Sequence, residues 1–172
     1  DVVVAGRTES TGAAAADELG CEFQRCDVAD YAEVEALVEQ TVEEHGRLDA
    51  MVNNAGIGRM GTVEETSLDD WTDVIRINLS GVMYGSRAAL PHLKETDGAI
   101  LNVASIYGLV AGPGAAAYSA AKGGVVNLTR QMAVDYAGEG VRVNSICPGF
   151  VDTPMTDEAL EQDQFYEFVR GR

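Results

Sequence analysis

The sequence predicts an α/β fold, a Rossmann-like doubly wound parallel sheet with helices on both faces. Short segments rich in Val, Ile and Leu alternate with longer segments whose apolar residues recur at helical spacing. The short segments lack the strict polar alternation of a half-exposed strand, which is typical of parallel strands buried on both faces. No composition break, repeat or low-complexity tract interrupts this order. Residues 1–172 are therefore predicted to form a single domain.

The first half of the chain is predicted to contain three strands and two helices. The strands are expected at 1–5, 21–26 and 48–54, and the helices from Thr8 or Ser10 to Gly20 and from Asp30 to Gly46. Thr, Ser and Asp side chains accept hydrogen bonds from the first turn of a helix, and Gly ends a helix easily. These residue types therefore mark the predicted helix boundaries.

The second half is predicted to contain longer helices. We expect a helix from about Leu68 to Lys94 capped by Ser67, a strand at 99–105, a helix at Ala115–Ala137, a strand at 141–147 and an acidic helix at Met155–Arg170. Asn78 lies inside the first of these helices. Because Asn diverts backbone hydrogen bonding, a local interruption that exposes a main-chain carbonyl is one interpretation, and a solvent-facing Asn is the other.

Composition excludes several functional classes. The net charge of −16 and the lack of a basic stripe argue against nucleic-acid binding. The three cysteines form no C-x-x-C or Cys/His cluster, so neither a disulfide framework nor a metal site is predicted, and a reducing cytoplasm is expected. No apolar run of membrane-spanning length and no signal peptide is predicted. Abundant acidic residues with only two lysines, Lys94 and Lys122, favour a salt-adapted protein.

The most informative motif combines Tyr118, Lys122 and Ser105. Residues four apart on a helix share one face, so a phenol and an ammonium are expected side by side. A nearby positive charge lowers the pKa of a Tyr, and a hydroxyl at a preceding strand end can bind the same substrate oxygen. The three residues predict proton transfer at an alcohol or carbonyl oxygen.

Polar and Gly-rich segments follow the predicted strands. Asp27, Asn53–Gly56, Ser105 and Pro148–Gly149 come at carboxyl ends of strands, where ligands of such sheets bind. Gly56-x-Gly58-x-x-Gly61 matches the dinucleotide fingerprint, but the next helix starts too late for it to hold a pyrophosphate. A flexible turn is predicted there instead.

Taken together, Asn-Asn-Ala-Gly at 53–56, Asn78, Ser105, Tyr118-x-x-x-Lys122 and Pro148-Gly149 resemble the short-chain dehydrogenase/reductase family. The resemblance implies hydride transfer between a nicotinamide cofactor and an alcohol or ketone. It also implies that Tyr118 is the general acid/base, that Ser105 stabilises the substrate oxygen, and that Lys122 lowers the pKa of Tyr118 and binds the nicotinamide ribose. Asn78 would hold a water that links Lys122 to solvent.

The resemblance also implies cofactor contacts and an oligomer. Besides Tyr118 and Lys122, the implied cofactor residues are Arg7, Asp27, Val28, Asn53, Ala55, Gly56, Pro148, Gly149, Val151 and Thr153. Arg7 stands where NAD-preferring members usually present a carboxylate, and Arg suits a 2′-phosphate, so NADP(H) is favoured over NAD(H). The two long helices resemble those that form homodimers or homotetramers in this family.

The chain departs from the family at both ends. The family's first strand with its Gly-rich loop and its last strand are not found, so we expect a gap in the sheet ladder and a parent protein of roughly 250 residues. Two other functions stay open: a catalytically silent nucleotide-binding or interaction module, and an epimerase or dehydratase that uses the cofactor transiently. The substrate is not predicted beyond an alcohol or ketone; acyl thioesters, sugars and steroids are all compatible.

Overall fold

The computed structural model describes residues 1–153 and 156. Its strands, all in parallel pairs, are β1 (Val3–Gly6), β2 (Glu22–Arg25), β3 (Ala50–Asn53), β4 (Ala99–Val103) and β5 (Arg142–Ile146). β2 to β5 lie inside segments that the sequence predicts to be strands, and β1 extends one residue beyond the predicted strand at 1–5. The predicted fold class, Rossmann-like with parallel sheets and helices on both faces, is confirmed.

Two of the five α-helices among the described residues begin at a side chain that accepts a hydrogen bond from the first turn. The five helices are α1 (Glu9–Leu19), α2 (Tyr31–His45), α3 (Leu68–Ile75), α4 (Gly81–Glu95) and α5 (Ala116–Tyr136). Asp30 accepts from the Ala32 N–H at the start of α2, and Ser67 accepts from the Asp70 N–H at the start of α3. The predicted caps Asp30 and Ser67 are confirmed, whereas Thr8, the residue before α1, makes no side-chain capping hydrogen bond. The helix predicted at Met155–Arg170 lies outside the described residues.

The predicted long helix from Leu68 to Lys94 is interrupted. A π-helical turn at Arg76–Ser80 joins α3 to α4 and contains Asn78. A π turn inserts a residue into the helical ladder and is frequently found at functional sites. The predicted interruption at Asn78 is therefore confirmed, and the side chain is buried rather than facing solvent.

The strands form two sheets with a cavity between them. β1 pairs with β2, and β3, β4 and β5 pair in that order. A cavity of about 550 Å³ is lined by residues of both β1 and β3, among them Val3 and Val52. The expected gap in the ladder is found here.

The helix α4 links the two sheets. Ala88 of α4 packs with Cys26, Val34 and Val38 next to the two-stranded sheet. On the other side, the same helix shares with α5, β4 and β5 a core made of Ala89, Leu90, Leu93, Ile100, Met132, Val141 and Val143. Full burial of one such large aliphatic side chain contributes about 1.5–3 kcal/mol. Because α4 packs in both clusters, they fix the strand ends of the two sheets relative to one another.

Candidate active site

Ser105 lies at the rim of the three-stranded sheet, where β4 ends. It caps a short 3₁₀ turn at Ile106–Gly108, and its Oγ accepts the Tyr107 N–H at 3.1 Å. The side chain is 8% exposed. Since the oxygen already accepts a hydrogen bond, its own proton is available to a second acceptor. A hydroxyl donor is thus fixed at the strand end that the sequence predicted.

Tyr118 and Lys122 lie one turn apart near the start of α5. The Lys122 Nζ is 5.7 Å from the centroid of the Tyr118 ring and donates to the Val103 carbonyl at 2.7 Å. Lys122 is only 4% exposed, although lysine is almost never buried without a partner. The structure therefore brings Ser105, Tyr118 and Lys122 together, as predicted.

Burial changes the pKa of both residues of the pair. It lowers the pKa of Lys122 to about 8, an effect opposed by the Cys147 thiol nearby. It raises the pKa of Tyr118 above its ordinary value, and the Ser105 hydroxyl offsets part of this increase. The sequence predicted the opposite direction for Tyr118, because the cost of desolvating a phenolate is not visible in a motif. In this structure the chain holds Tyr118 as a neutral phenol, the form that can give up a proton.

Asn78 fixes the loop that follows β3. Its Oδ1 accepts from the Ile57 N–H and its Nδ2 donates to the Ile57 carbonyl, both at 2.8 Å. A Cβ at Gly56 would lie 3.3 Å from the Asn78 Oδ1 and 3.6 Å from the Lys122 Nζ. The backbone of the Asn-Asn-Ala-Gly segment therefore comes close to the Lys122 ammonium. The role of Asn78 as the holder of a water stays a prediction.

A chain of buried hydrogen bonds lies under the site. Asn53 Nδ2 donates to Ser86 Oγ at 3.1 Å and to Asn102 Oδ1 at 2.8 Å, and Asn102 Nδ2 donates to Thr129 Oγ1 at 2.9 Å. This amide clamp, Ser86–Asn53–Asn102–Thr129, joins α4, β3, β4 and α5. Sequence reasoning named only Asn53 of the four. The available signal was Asn102, a carboxamide in the middle of the apolar segment AILNV.

The remaining predicted cofactor residues lie at or just after the carboxyl ends of strands. Arg7 is exposed directly after β1, and Val28, after β2, packs against Gly81 at the start of α4. The Asp27 carboxylate accepts from the Ala29 N–H at 3.0 Å and so shapes its own turn. Pro148 accepts from the Ile106 N–H at 2.8 Å, which ties the segment after β5 to the Ser105 turn.

The segment Gly149–Thr153 continues this rim. A Cβ at Gly149 would meet no atom of the described residues within 4 Å. Val151 is 53% exposed, and the Thr153 N–H donates to Thr156 Oγ1 at 3.2 Å. The segment after β5 is therefore exposed at the same rim as the Ser105 turn.

The pattern Gly56-x-Gly58-x-x-Gly61 does not open a helix. Its residues run through a loop in which Gly61 pairs with Ala115, and α3 begins only at Leu68. A helix N-terminus that could bind a pyrophosphate is therefore not formed by this pattern. Residues 56–60 form an irregular loop with no regular turn, so the structure agrees with the rejection of a pyrophosphate loop but not with the predicted turn.

Comparison with known proteins identifies clear relatives. Residues 1–164 match the family model described as short chain dehydrogenase. The chain is 50% identical over 145 residues to meso-2,3-butanediol dehydrogenase of Serratia marcescens, covering 83% of this chain and 58% of that protein. It is 43% identical over 152 residues to 2-(R)-hydroxypropyl-CoM dehydrogenase of Xanthobacter autotrophicus, covering 86% and 61% respectively.

A solved structure shares the fold. Gluconate 5-dehydrogenase of Burkholderia cenocepacia, in complex with NADP and tartrate, superposes with a TM-score of 0.91 at 31% identity. The match covers 96% of this chain and 68% of that one. The chain thus spans about three fifths of the length of the curated relatives above. Among the described residues, no helix combines the length and the apolar character needed to cross a membrane.

Proposed function

The chain belongs to the short-chain dehydrogenase family, and we propose that it supplies the catalytic residues of an enzyme that transfers hydride between NADP(H) or NAD(H) and an alcohol or ketone. The observation that carries this proposal is the convergence of the Ser105 hydroxyl, the Tyr118 phenol and the buried Lys122 ammonium at one strand end. Relatives named as dehydrogenases of small alcohols support the reaction class.

The proposed mechanism assigns one step to each side chain. A bound nicotinamide would supply or accept the hydride at the carbonyl carbon. In the reducing direction, the neutral Tyr118 phenol gives its proton to the substrate oxygen as negative charge develops there. Ser105 donates a hydrogen bond to the same oxygen, because its Oγ is held by the Tyr107 N–H and its own proton is directed elsewhere.

Lys122 has two roles in this proposal. Its ammonium stabilises the phenolate left on Tyr118 after proton transfer, and its other N–H donors bind the ribose hydroxyls of the cofactor. The Val103 carbonyl and the fixed loop at Gly56 hold the ammonium in place. Asn78 keeps that loop closed, and a water at the π turn would return the proton to Tyr118 through Lys122.

The cofactor would lie along the rim. Asp27 and Val28 would contact the adenine, Asn53, Ala55 and Gly56 would form the wall of the cleft, and Pro148, Gly149, Val151 and Thr153 would contact the nicotinamide end. Arg7 would bind a 2′-phosphate, which favours NADP(H). We also propose a homodimer or homotetramer that forms through the segment Leu68–Glu95 and α5. A salt-adapted cytoplasmic setting belongs to the same proposal.

The test compares Tyr118→Phe with the unchanged protein in the full-length chain. Loss of general acid catalysis is expected to lower kcat for ketone reduction about 10²–10⁴-fold while the cofactor still binds. Cofactor oxidation is followed by absorbance and product by chromatography. Unchanged turnover in the variant would contradict the proposal. Cofactor binding without any turnover would indicate a silent binding module, and product without net absorbance change would indicate an epimerase or dehydratase.

A further inference from the structure

The ring of Tyr107 stands beside the two hydroxyls of the candidate active site. Its backbone N–H donates to the Ser105 Oγ, and its ring centroid lies 6.5 Å from that of Tyr118 at an interplanar angle of 79°. The residue therefore contacts both groups that would hold the substrate oxygen. Nothing in the proposed mechanism uses its side chain.

A second aromatic ring extends the same surface. Phe150, just after β5, lies 6.0 Å from Tyr107, centroid to centroid, with the planes at 86°. Both contacts are edge-to-face, an arrangement that is worth about 0.5–1.5 kcal/mol beyond area burial. Tyr107 is half-buried. We call the surface formed by Tyr107 and Phe150 the aromatic wall.

The backbone holds the aromatic wall in position. A Cβ at Gly112 would overlap the Tyr107 ring, so the loop closes on the ring only because residue 112 is glycine. A Cβ at Gly108 would lie 2.7 Å from the Lys122 carbonyl oxygen, so the 3₁₀ turn packs directly on the backbone of α5. The Ile106 N–H donates to Pro148 at 2.8 Å. Tyr107 is thereby fixed relative to Tyr118 and to the segment that carries Phe150.

Resting on the proposed function, we propose that Tyr107 is a specificity-determining residue that selects uncharged ketones or secondary alcohols with an apolar substituent next to the carbonyl carbon. A carbonyl oxygen between Ser105 and Tyr118 places its substituents beside the aromatic wall. An alkyl or cyclic group gains dispersion and hydrophobic free energy there. A carboxylate or phosphate at the same place would lose water against an aromatic surface on a chain of net charge −16.

The test measures kcat/KM of the full-length protein for acetone, 2-butanone and cyclohexanone, with saturating cofactor. Tyr107→Ala is expected to reduce the ratio of cyclohexanone to acetone about 10–100-fold, because the lost contact is made only by the larger substituent. Tyr107→Phe keeps the ring and is expected to keep this ratio within about threefold of the unchanged protein. Tyr107→Leu keeps apolar volume without the ring and is expected to give an intermediate ratio.

Tyr136→Ala is the matched control. It removes the same side chain at the far end of α5, where Tyr136 contacts Lys94 and the core. General destabilisation would reduce turnover of all three ketones in this variant without changing the ratio. If Tyr107→Ala does not fold, the ratio of kcat/KM for cyclohexanone to that for acetone in Tyr107→Leu tests the proposal.

Two results would overturn the proposal. One is a cyclohexanone to acetone ratio that is unchanged in Tyr107→Ala and Tyr107→Leu; the other is an equal fall for all three ketones, which would indicate a structural role. Failure of the proposed function is recognised separately. In that case Tyr118→Phe would match the unchanged protein, or the unchanged protein would reduce no ketone at all.

Discussion

Polar side chains are buried around the three-stranded sheet and exposed around the two-stranded sheet. Among the described residues, the buried polar or charged side chains all belong to β3, β4, the Ser105 turn and the helices α4 and α5 with the π turn between them: Asn53, Asn78, Ser86, Asn102, Ser105, Lys122 and Thr129. Around β1 and β2, polar pairs such as Arg25–Glu33 lie at the surface. The proposed proton transfer requires fixed geometry, and buried, hydrogen-bonded side chains provide it.

The burial of polar side chains around the three-stranded sheet has an energetic cost. A buried amide or ammonium stabilises the fold only while each partner is in place, because an orphaned buried polar group costs about 1–3 kcal/mol. A surface pair contributes about 0–1 kcal/mol, since water replaces a lost partner. We therefore expect substitutions around the three-stranded sheet to change stability or activity strongly. Matched substitutions around the two-stranded sheet should change them little.

Of the substitutions that compare the surroundings of the two sheets, Ser105→Ala is expected to have the largest effect. Loss of one donor to the developing charge on the substrate oxygen should lower kcat about 10²–10³-fold. Ser119→Ala is the control on the neighbouring helix, because the Ser119 Oγ is buried without a hydrogen-bond partner among the described residues. Its removal should leave kcat unchanged. Steady-state kinetics of the full-length protein measures kcat of both variants. Equal kcat values would contradict the assignment of Ser105 as a donor to the substrate oxygen.

Asn102→Ala tests the amide clamp. It leaves the Asn53 Nδ2 and the Thr129 Oγ1 each without one buried partner, so the free energy of unfolding should fall by about 2–4 kcal/mol. Gln24→Ala is the counterpart on β2, where the Gln24 amide donates to Gln40 at the surface. Its effect should stay within about 0.5 kcal/mol. Urea unfolding measures the free energy of unfolding of both variants. Similar decreases in the two variants would show that buried and surface amides contribute equally to stability.

Lys122→Met tests the buried ammonium through pH. The folded pKa of Lys122 is about 8 and the ordinary value is 10.5, so between these values the unfolded chain binds more protons than the folded chain. The stability of the unchanged protein relative to the variant should therefore rise as pH goes from about 8 to 10.5, by up to about 3 kcal/mol. Urea unfolding at several pH values measures the difference. A difference that stays constant or falls with pH would show that the ammonium is not desolvated.

Arg7→Ala should have the smallest effect. Arg7 follows β1 of the two-stranded sheet. Loss of one exposed contact to a 2′-phosphate should raise KM for NADP(H) about tenfold and change KM for NAD(H) little. Arg47→Ala is the control, because Arg47 precedes β3 and pairs with Asp49 at the other end of the strands. Equal changes for both cofactors would remove the basis for a preference for NADP(H). High salt should weaken the effect of Arg7→Ala, since both charges are exposed.

Local patterns in the sequence were sufficient to predict much of the molecule. Asp30 and Ser67 cap helices in the structure because a cap depends on residues two or three apart. Tyr118 and Lys122 share a helix face for the same reason, and Ser105 follows an apolar strand. The interruption at Asn78 was one of two interpretations that the sequence left open, and local geometry within one helix was enough to suggest it. These features are set by short-range geometry, which a sequence displays directly.

Contacts between distant segments were decided only by the tertiary structure. The amide clamp joins Asn53 to Asn102 and Asn102 to Thr129, and Asn78 binds the backbone of Ile57. The direction of the pKa shift of Tyr118 follows from burial by the surrounding chain, which no motif shows. The sequence determined which residues can carry acid–base chemistry. Packing decided the direction of their pKa shifts, their partners and the aromatic ring beside them, because desolvation and long-range hydrogen bonds depend on segments that meet only in the folded chain.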